Sequence, residues 1–161
     1  MDFYQLVKDL YEMNLSPFIA NGSMTFSKYL PKNFPLDFKK KFFDEKRILG
    51  EHKTFGGLAI GLISGSISGY LGNIDFTYSF SSSLLAIIGD CLGSFIKRRF
   101  GKKEGEDFPL IDRTIWLSIY PFLYQYFNQK PINEFSILYL ITLVGGYFLH
   151  KVTNKIKNYF L

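Results

Sequence analysis

Cysteine is almost missing from this chain: Cys91 is the only one in 161 residues, which excludes a disulfide framework. Histidine is nearly as scarce. His52 and His150 each lack a second histidine nearby, which argues against a histidine-built metal site. Glycine lacks the every-third-residue spacing of a triple-helical fibre. Long stretches also lack charge. Residues 54 to 74 carry none, and residues 76 to 96 carry only Asp90. No basic run opens the chain, so no cleaved signal peptide is read. What is abundant is aromatic and apolar: 18 Phe and 11 Tyr, with 47% of residues hydrophobic. That content excludes a disordered chain.

The charge-poor stretches have membrane length. About 20 helical residues cross a hydrocarbon core of roughly 30 Å. Residues 54 to 74 and 76 to 96 meet that length directly. Residues 114 to 129 are short, but Phe108 to Ile111 extend them through Asp112 and Arg113. Residues 135 to 150 form a fourth candidate. A soluble helical bundle is the alternative, and it would leave these helices almost no polar faces.

The N-terminus reads two ways. Phe3, Leu6, Val7 and Leu10 form an apolar stripe, with Lys8, Asp9 and Glu12 on other faces. That pattern fits an interfacial helix. Continued through Leu15 to Phe26, past Pro17 and Gly22, it becomes a first, broken span. The expected fold is therefore all-α: one polytopic membrane domain over residues 1 to 161, with about five spans, four being the other count.

Basic residues orient it. Seventeen of the 19 lie between Ser27 and Lys53, between Lys97 and Arg113, or in the tail at Lys151, Lys155 and Lys157. Lys8 and Lys130 are the other two. The positive-inside rule places both basic loops and the C-terminus in the cytoplasm of a multi-pass cell-membrane protein. Five spans put the N-terminus outside.

Gly57, Gly61, Gly65 and Gly69 recur every four residues, beside a row of Ser64, Ser68 and Gly72. Missing side chains at this spacing predict a close helix–helix seam. A phosphate-cradling loop needs a preceding strand, which is absent.

Asp90, flanked by Gly89 and Gly93, is the one carboxylate inside its span, and an intramembrane acid points to a polar cavity or partner. Ser94, Lys97 and Arg98 share its helical face. Lys97 is seven residues, or about 10 Å, further on. A plain Asp90 clamp to Lys97 or Arg98 is one reading. The other pairs Asp90 with Asp112, two carboxylates among cations that suit a divalent metal carrying phosphates. The first basic loop repeats the theme, with Asp37 and Asp44 near Arg47 and Lys53. Thr54 is placed to cap the next helix, which sets Lys53 at an anion-favouring N-terminus. Lysines alone would serve a loop pressed on anionic lipid. Cys91 points away from Asp90 and is read as packing.

These residues resemble the CDP-archaeol synthases, archaeal CTP-dependent cytidylyltransferases related to the CDP-diacylglycerol synthases. The likeness lies in Ala20 and Asn21, in Pro35 to Gly57, and most specifically in Gly89 to Arg113 with Gly89, Asp90, Gly93, Ser94, Lys97, Arg98, Arg99, Pro109 and Asp112. Departures are Glu51 and His52 ahead of Lys53, and Ile115 where a second acid commonly follows Asp112. The resemblance implies five transmembrane helices, a cytoplasmic polar cavity and transfer of a cytidylyl group from CTP to a dialkyl glycerol phosphate, releasing pyrophosphate. It implies Mg²⁺ held by Asp90 and Asp112, with Lys53, Lys97 and Arg98 on the triphosphate and Arg47 on the lipid phosphate. Thr54, Asn21, Asp37, Asp44 and Ser94 complete the implied substrate site, Asp37 and Asp44 by orienting cations.

The expected partners are CTP, an archaeal ether-lipid phosphate and membrane lipid, with a homodimer left open. A small transporter would need a polar path through the outer halves of the spans, which are mostly apolar. A catalytically inactive membrane scaffold would use the glycine faces but not the acids set against cations. The basic loops carry no nucleic-acid recognition motif.

Overall fold

The computed structural model describes residues 1–31, 33–104, 106 and 108–160; the side chains at 109, 113 and 150–160 are also outside the description. Expectations attached to Lys32 and to the side chains of Pro109, Arg113, Lys151, Lys155 and Lys157 therefore lie outside the described residues.

The described chain is all-α. α1 is Phe3–Ser23, followed by a 3₁₀ turn at Met24–Tyr29; α2 is Phe55–Leu71, α3 Phe76–Arg99, α4 Pro109–Asn128 and α5 Ile132–Phe160. Asp2, Thr54 and Asp75 cap α1, α2 and α3 by accepting a backbone N–H, which satisfies donors each helix would otherwise leave open. α3 and Ile132–Leu149 within α5 are long and apolar enough to cross a membrane, and α2 is a shorter apolar helix.

The expected break in α1 is absent. The helix runs unbroken through Pro17 and Gly22. Proline cannot donate the backbone hydrogen bond to the carbonyl four residues earlier, here Met13. The buried Tyr78 hydroxyl donates to the Met13 oxygen instead, at 2.9 Å. A tyrosine on α3 thus supplies the donor that Pro17 lacks.

Consecutive helices run antiparallel, as their contacts show. Cβ atoms added at Gly61 and Gly65 would lie 3.0 Å from the Ala20 carbonyl oxygen and 2.9 Å from that of Ser16. Ascending α2 thus means descending α1. The same two glycines face Ile87 and Ser83 of α3, and Gly69 faces Ser79. The fourfold glycine row is therefore the seam among α1, α2 and α3, as its spacing predicts. Ser64 of the neighbouring row meets the Ser23 hydroxyl at 2.5 Å. Cys91 packs against a small cluster of Ala20, Met24 and Ile87. At Gly89 an added Cβ would sit 2.7 Å from the Trp116 Cα, so α3 and α4 approach almost backbone to backbone. Gly146 of α5 instead leaves room for the Leu117 side chain of α4. This up-and-down order gathers the 30–54 segment and the 100–108 segment at one end of the bundle.

The other end holds a polar knot. Asp9 is 1% exposed. It accepts hydrogen bonds from Gln5 and from the Tyr124 hydroxyl, and it pairs with Lys130 at 2.8 Å. Asp9 is therefore not on a polar outer face. It occupies the stripe of Met13, Ser16 and Ala20, all buried.

Candidate functional site

The loop-bearing end places four charged side chains on three elements. Thr54 accepts the Gly57 N–H at 3.1 Å, which fixes the start of α2 and holds Lys53 just ahead of it. The Lys53 ammonium is ion-paired with Asp90. On α3, Lys97 reaches across the narrow α3–α4 seam and donates to both Asp112 oxygens, at 2.8 and 2.9 Å. Asp112 also accepts the Phe108 N–H at 2.8 Å, closing the first turn of α4. Gly93 faces Ile111 and Ile115 across this seam, so Ile115 fills an apolar contact where an acid was noted to be missing.

Both expected carboxylates thus hold a lysine, and neither is sealed: their side chains are 25% and 21% exposed. The simple clamp of Asp90 to Lys97 or Arg98 is not what forms; Asp90's partner comes from the other loop. Arg98 donates to the Leu49 and Lys102 carbonyls instead. Ser94 lies half-buried on the same face of α3 between Asp90 and Lys97. Asn21 is half-buried on α1, and its side chain makes no hydrogen bond among the described residues.

Two further expectations resolve into loop architecture. The fully buried Asp37 carboxylate takes Arg47 Nη2 at 2.8 Å and Nε at 3.1 Å. It also accepts the N–H groups of Lys39, Leu49 and Gly50. Burial alone would push its pKa up; the guanidinium and the three amides outweigh burial and hold it well below the usual carboxylate range. Arg47, expected to hold a lipid phosphate, is committed to Asp37 and Glu51. Asp44 pairs with Arg99 at 2.8 Å. Asp37 is thus paired with Arg47, and Asp44 with Arg99 rather than with Lys53 or Arg47.

Asn33 and Glu104 were not singled out in the sequence. Asn33 accepts the Gly56 N–H and donates to the Ser27 carbonyl. Glu104 accepts the Glu51 N–H at 3.0 Å, across the two loops. Gly50, with φ +111°, lets the chain turn beside it. No sequence signal marks either residue, since each acts on backbone amides brought close only by the fold.

Asp37 gives a direct test of this bracing. Its depressed pKa means that the stability it contributes is complete above the ordinary carboxylate range. That stability is lost only as pH falls through the lowered value. Asp37→Asn removes the charge at every pH and leaves Arg47 without its buried partner. Breaking a buried pair costs about 3 kcal/mol or more, so backbone amides between 37 and 50 are expected to exchange about 100-fold faster. Unchanged exchange in that segment would show that Asp37 does not brace the loop.

No group of three or more His, Cys, Asp or Glu side chains that could hold a metal occurs among the described residues. Mg²⁺ does not need one, because it takes one or two carboxylates and fills its shell with phosphate and water oxygens. Asp90 and Asp112 fit that habit: hard oxygen donors, partly exposed and balanced only by flexible ammonium groups.

Comparison with known proteins gives one consistent result. A CarS-like family model, described as CDP-archaeol synthase, matches residues 3–161. The CDP-archaeol synthase of Pyrobaculum calidifontis is 34% identical over 154 residues, covering 92% of this chain and 90% of that protein. That of Sulfolobus acidocaldarius is 36% identical over 143 residues, covering 86% and 84%. A solved structure of an intramembrane enzyme for archaeal membrane lipid biosynthesis superposes with a TM-score of 0.76 at 27% identity, covering 89% of this chain and 91% of that one.

Proposed function

The chain belongs to the CDP-archaeol synthase family, and on that premise we propose that it moves a cytidylyl group from CTP to the phosphate of a dialkyl glycerol phosphate of archaeol type. The observation that carries this reading is the pairing of Lys53 with Asp90 and Lys97 with Asp112 where two loops meet three helix ends. A lipid-phosphate oxygen attacks the α-phosphorus of CTP, the bond to the bridging oxygen breaks, and pyrophosphate leaves. No covalent nucleophile is required of the protein, since the acceptor phosphate is already anionic. The chain's task is to neutralise and align two anions.

Lys53 and Lys97 do this by changing partners. Each ammonium now balances a partly exposed carboxylate. When Mg²⁺ is bound by Asp90 and Asp112 it supplies Lewis-acid neutralisation of phosphate oxygens. Lys53 and Lys97 would bind triphosphate oxygens. Arg98 serves by holding the Leu49 carbonyl, four residues from Lys53. Ser94 and Asn21 are further polar groups available to the substrates. The Asp37–Arg47 brace keeps the Lys53 segment in register.

In this reading residues 1–161 form one membrane domain whose five helices all span. The two basic loops, between α1 and α2 and between α3 and α4, and the C-terminus face the cytoplasm, where CTP is found. Lipid tails stay in the bilayer while the headgroup meets the lysines. The test is selectivity. Purified protein with labelled CTP and Mg²⁺ is expected to convert a dialkyl glycerol phosphate at least about 100-fold faster than glycerol phosphate, the tails contributing binding energy. Equal turnover of the two would reject lipid recognition, and turnover of neither would reject the reaction.

A further inference from the structure

The 40–48 segment folds as a small hairpin; Arg47 at its base belongs to the Asp37 brace, and the proposed chemistry does not use its tip. Lys41 and Arg47 form an antiparallel bridge. Ile48 N–H donates to Lys40 at 3.2 Å, and Phe42 N–H donates to Lys46 at 2.8 Å. Glu45 completes the turn with φ +61°. At its tip Phe43 is 97% exposed. Phe34 and Phe38, which precede the hairpin, are also exposed. So many bare rings on one short segment are costly in water.

Two ring contacts fix where these aromatics lie. Phe42 sits edge-on to Phe95 near the C-terminal end of α3, centroids 5.3 Å apart. Phe38 meets Phe55, the first residue of α2, at 5.3 Å. Phe95 in turn lines an apolar groove between α2 and α3, with Leu58, Ile88 and Leu92. The hairpin is thus attached at the ends of two apolar helices, level with the end of their exposed apolar surface.

Its charge is arranged for an anionic surface. Lys39, Lys40 and Lys41 are exposed and make no ion pair among the described residues. Asp44 is neutralised by Arg99, which leaves Glu45 as the acid at the tip. Exposed aromatics beside adjacent lysines are the composition that settles at headgroup depth in acidic membranes.

We propose that this hairpin is a membrane-interface anchor that docks on anionic lipid headgroups, with Phe43 immersed and Lys39 to Lys41 on the lipid charges. Anchored so, it holds the segment leading to Lys53 at headgroup level. The inference does not depend on the chain's catalytic reaction.

The test uses the full chain with Cys91→Ser and a nitroxide on Phe43→Cys, and with Glu45→Cys as a second reporter. Both are reconstituted in vesicles of phosphatidylcholine, with or without phosphatidylglycerol. With phosphatidylglycerol present, the label at 43 is expected to collide readily with oxygen. It should be at least about fivefold less accessible to a soluble nickel chelate than in phosphatidylcholine alone. Lys39→Gln, Lys40→Gln and Lys41→Gln together should abolish that difference. A label exposed to the chelate in both vesicles overturns the proposal. Shielding from both oxygen and chelate would mean protein cover, such as a second copy, and overturns it equally. Immersion that ignores phosphatidylglycerol or the three glutamines overturns the anionic-lipid specificity.

Discussion

Asp90→Asn is expected to cut turnover by about 100-fold or more, roughly 3 kcal/mol of transition-state stabilisation, while the protein stays folded. Asparagine keeps the size and one acceptor oxygen but loses the charge. In this chain that substitution removes a proposed metal donor and also frees Lys53, its ion-pair partner. The two consequences separate by experiment. A purely structural pair predicts that Lys53→Gln combined with Asp90→Asn recovers stability and turnover together. A catalytic pair predicts that the double variant stays slow however stable it is. Asp112→Asn is expected to lose turnover to a similar extent. It also loses some stability at the start of α4, because Asp112 closes that turn through the Phe108 N–H. Activity assays and thermal scans on the same preparations distinguish the two.

Gly65→Leu is expected to leave no monodisperse protein in mild detergent. An added Cβ alone would lie 2.8 Å from the Ala20 Cβ and 2.9 Å from the Ser16 carbonyl oxygen, and it would collide with the Ser83 hydroxyl. Two of these neighbours belong to α1 and one to α3, so there is no open side toward which to relax. Overpacking of a filled core costs about 1–3 kcal/mol, and more where backbone must move. Gly145→Leu is the internal control: an added Cβ there meets nothing within 4 Å, and that variant is expected to purify normally. Size-exclusion profiles of the pair provide the check. Folded Gly65→Leu protein with a selective rise in the KM for CTP would instead assign the glycine row to the ligand.

The seam was legible because its signal is local. Four glycines at a fourfold spacing can face one way only on a helix, and they do. The start of α2 was also legible, since Thr54 stands where a cap is needed. The course of α1 was not. Pro17 and Gly22 read as a break, but the donor that keeps the helix whole is Tyr78, 65 residues from Met13. Asp9 was read off the Phe3–Leu10 stripe, but its burial was not legible, because the Tyr124 and Lys130 partners that satisfy it come from the far end of the chain. At the site, residue identity was legible and pairing was not. Asp90 shares a helical face with Lys97, yet its partner is Lys53, 37 residues earlier. Arg47 carried the chemistry of a phosphate ligand, and only the fold shows Asp37 and Glu51 engaging it.

The Mg²⁺ dependence of pyrophosphate release by detergent-purified, monodisperse Asp90→Asn protein tests the central claim most directly, measured with CTP and a dialkyl glycerol phosphate beside the unsubstituted chain. A site built on Asp90 and Asp112 predicts a large fall in maximal rate and a Mg²⁺ midpoint moved to higher concentration, partly recovered at high Mg²⁺. Near-normal turnover with an unchanged midpoint would contradict it and leave Asp90 as a structural partner of Lys53.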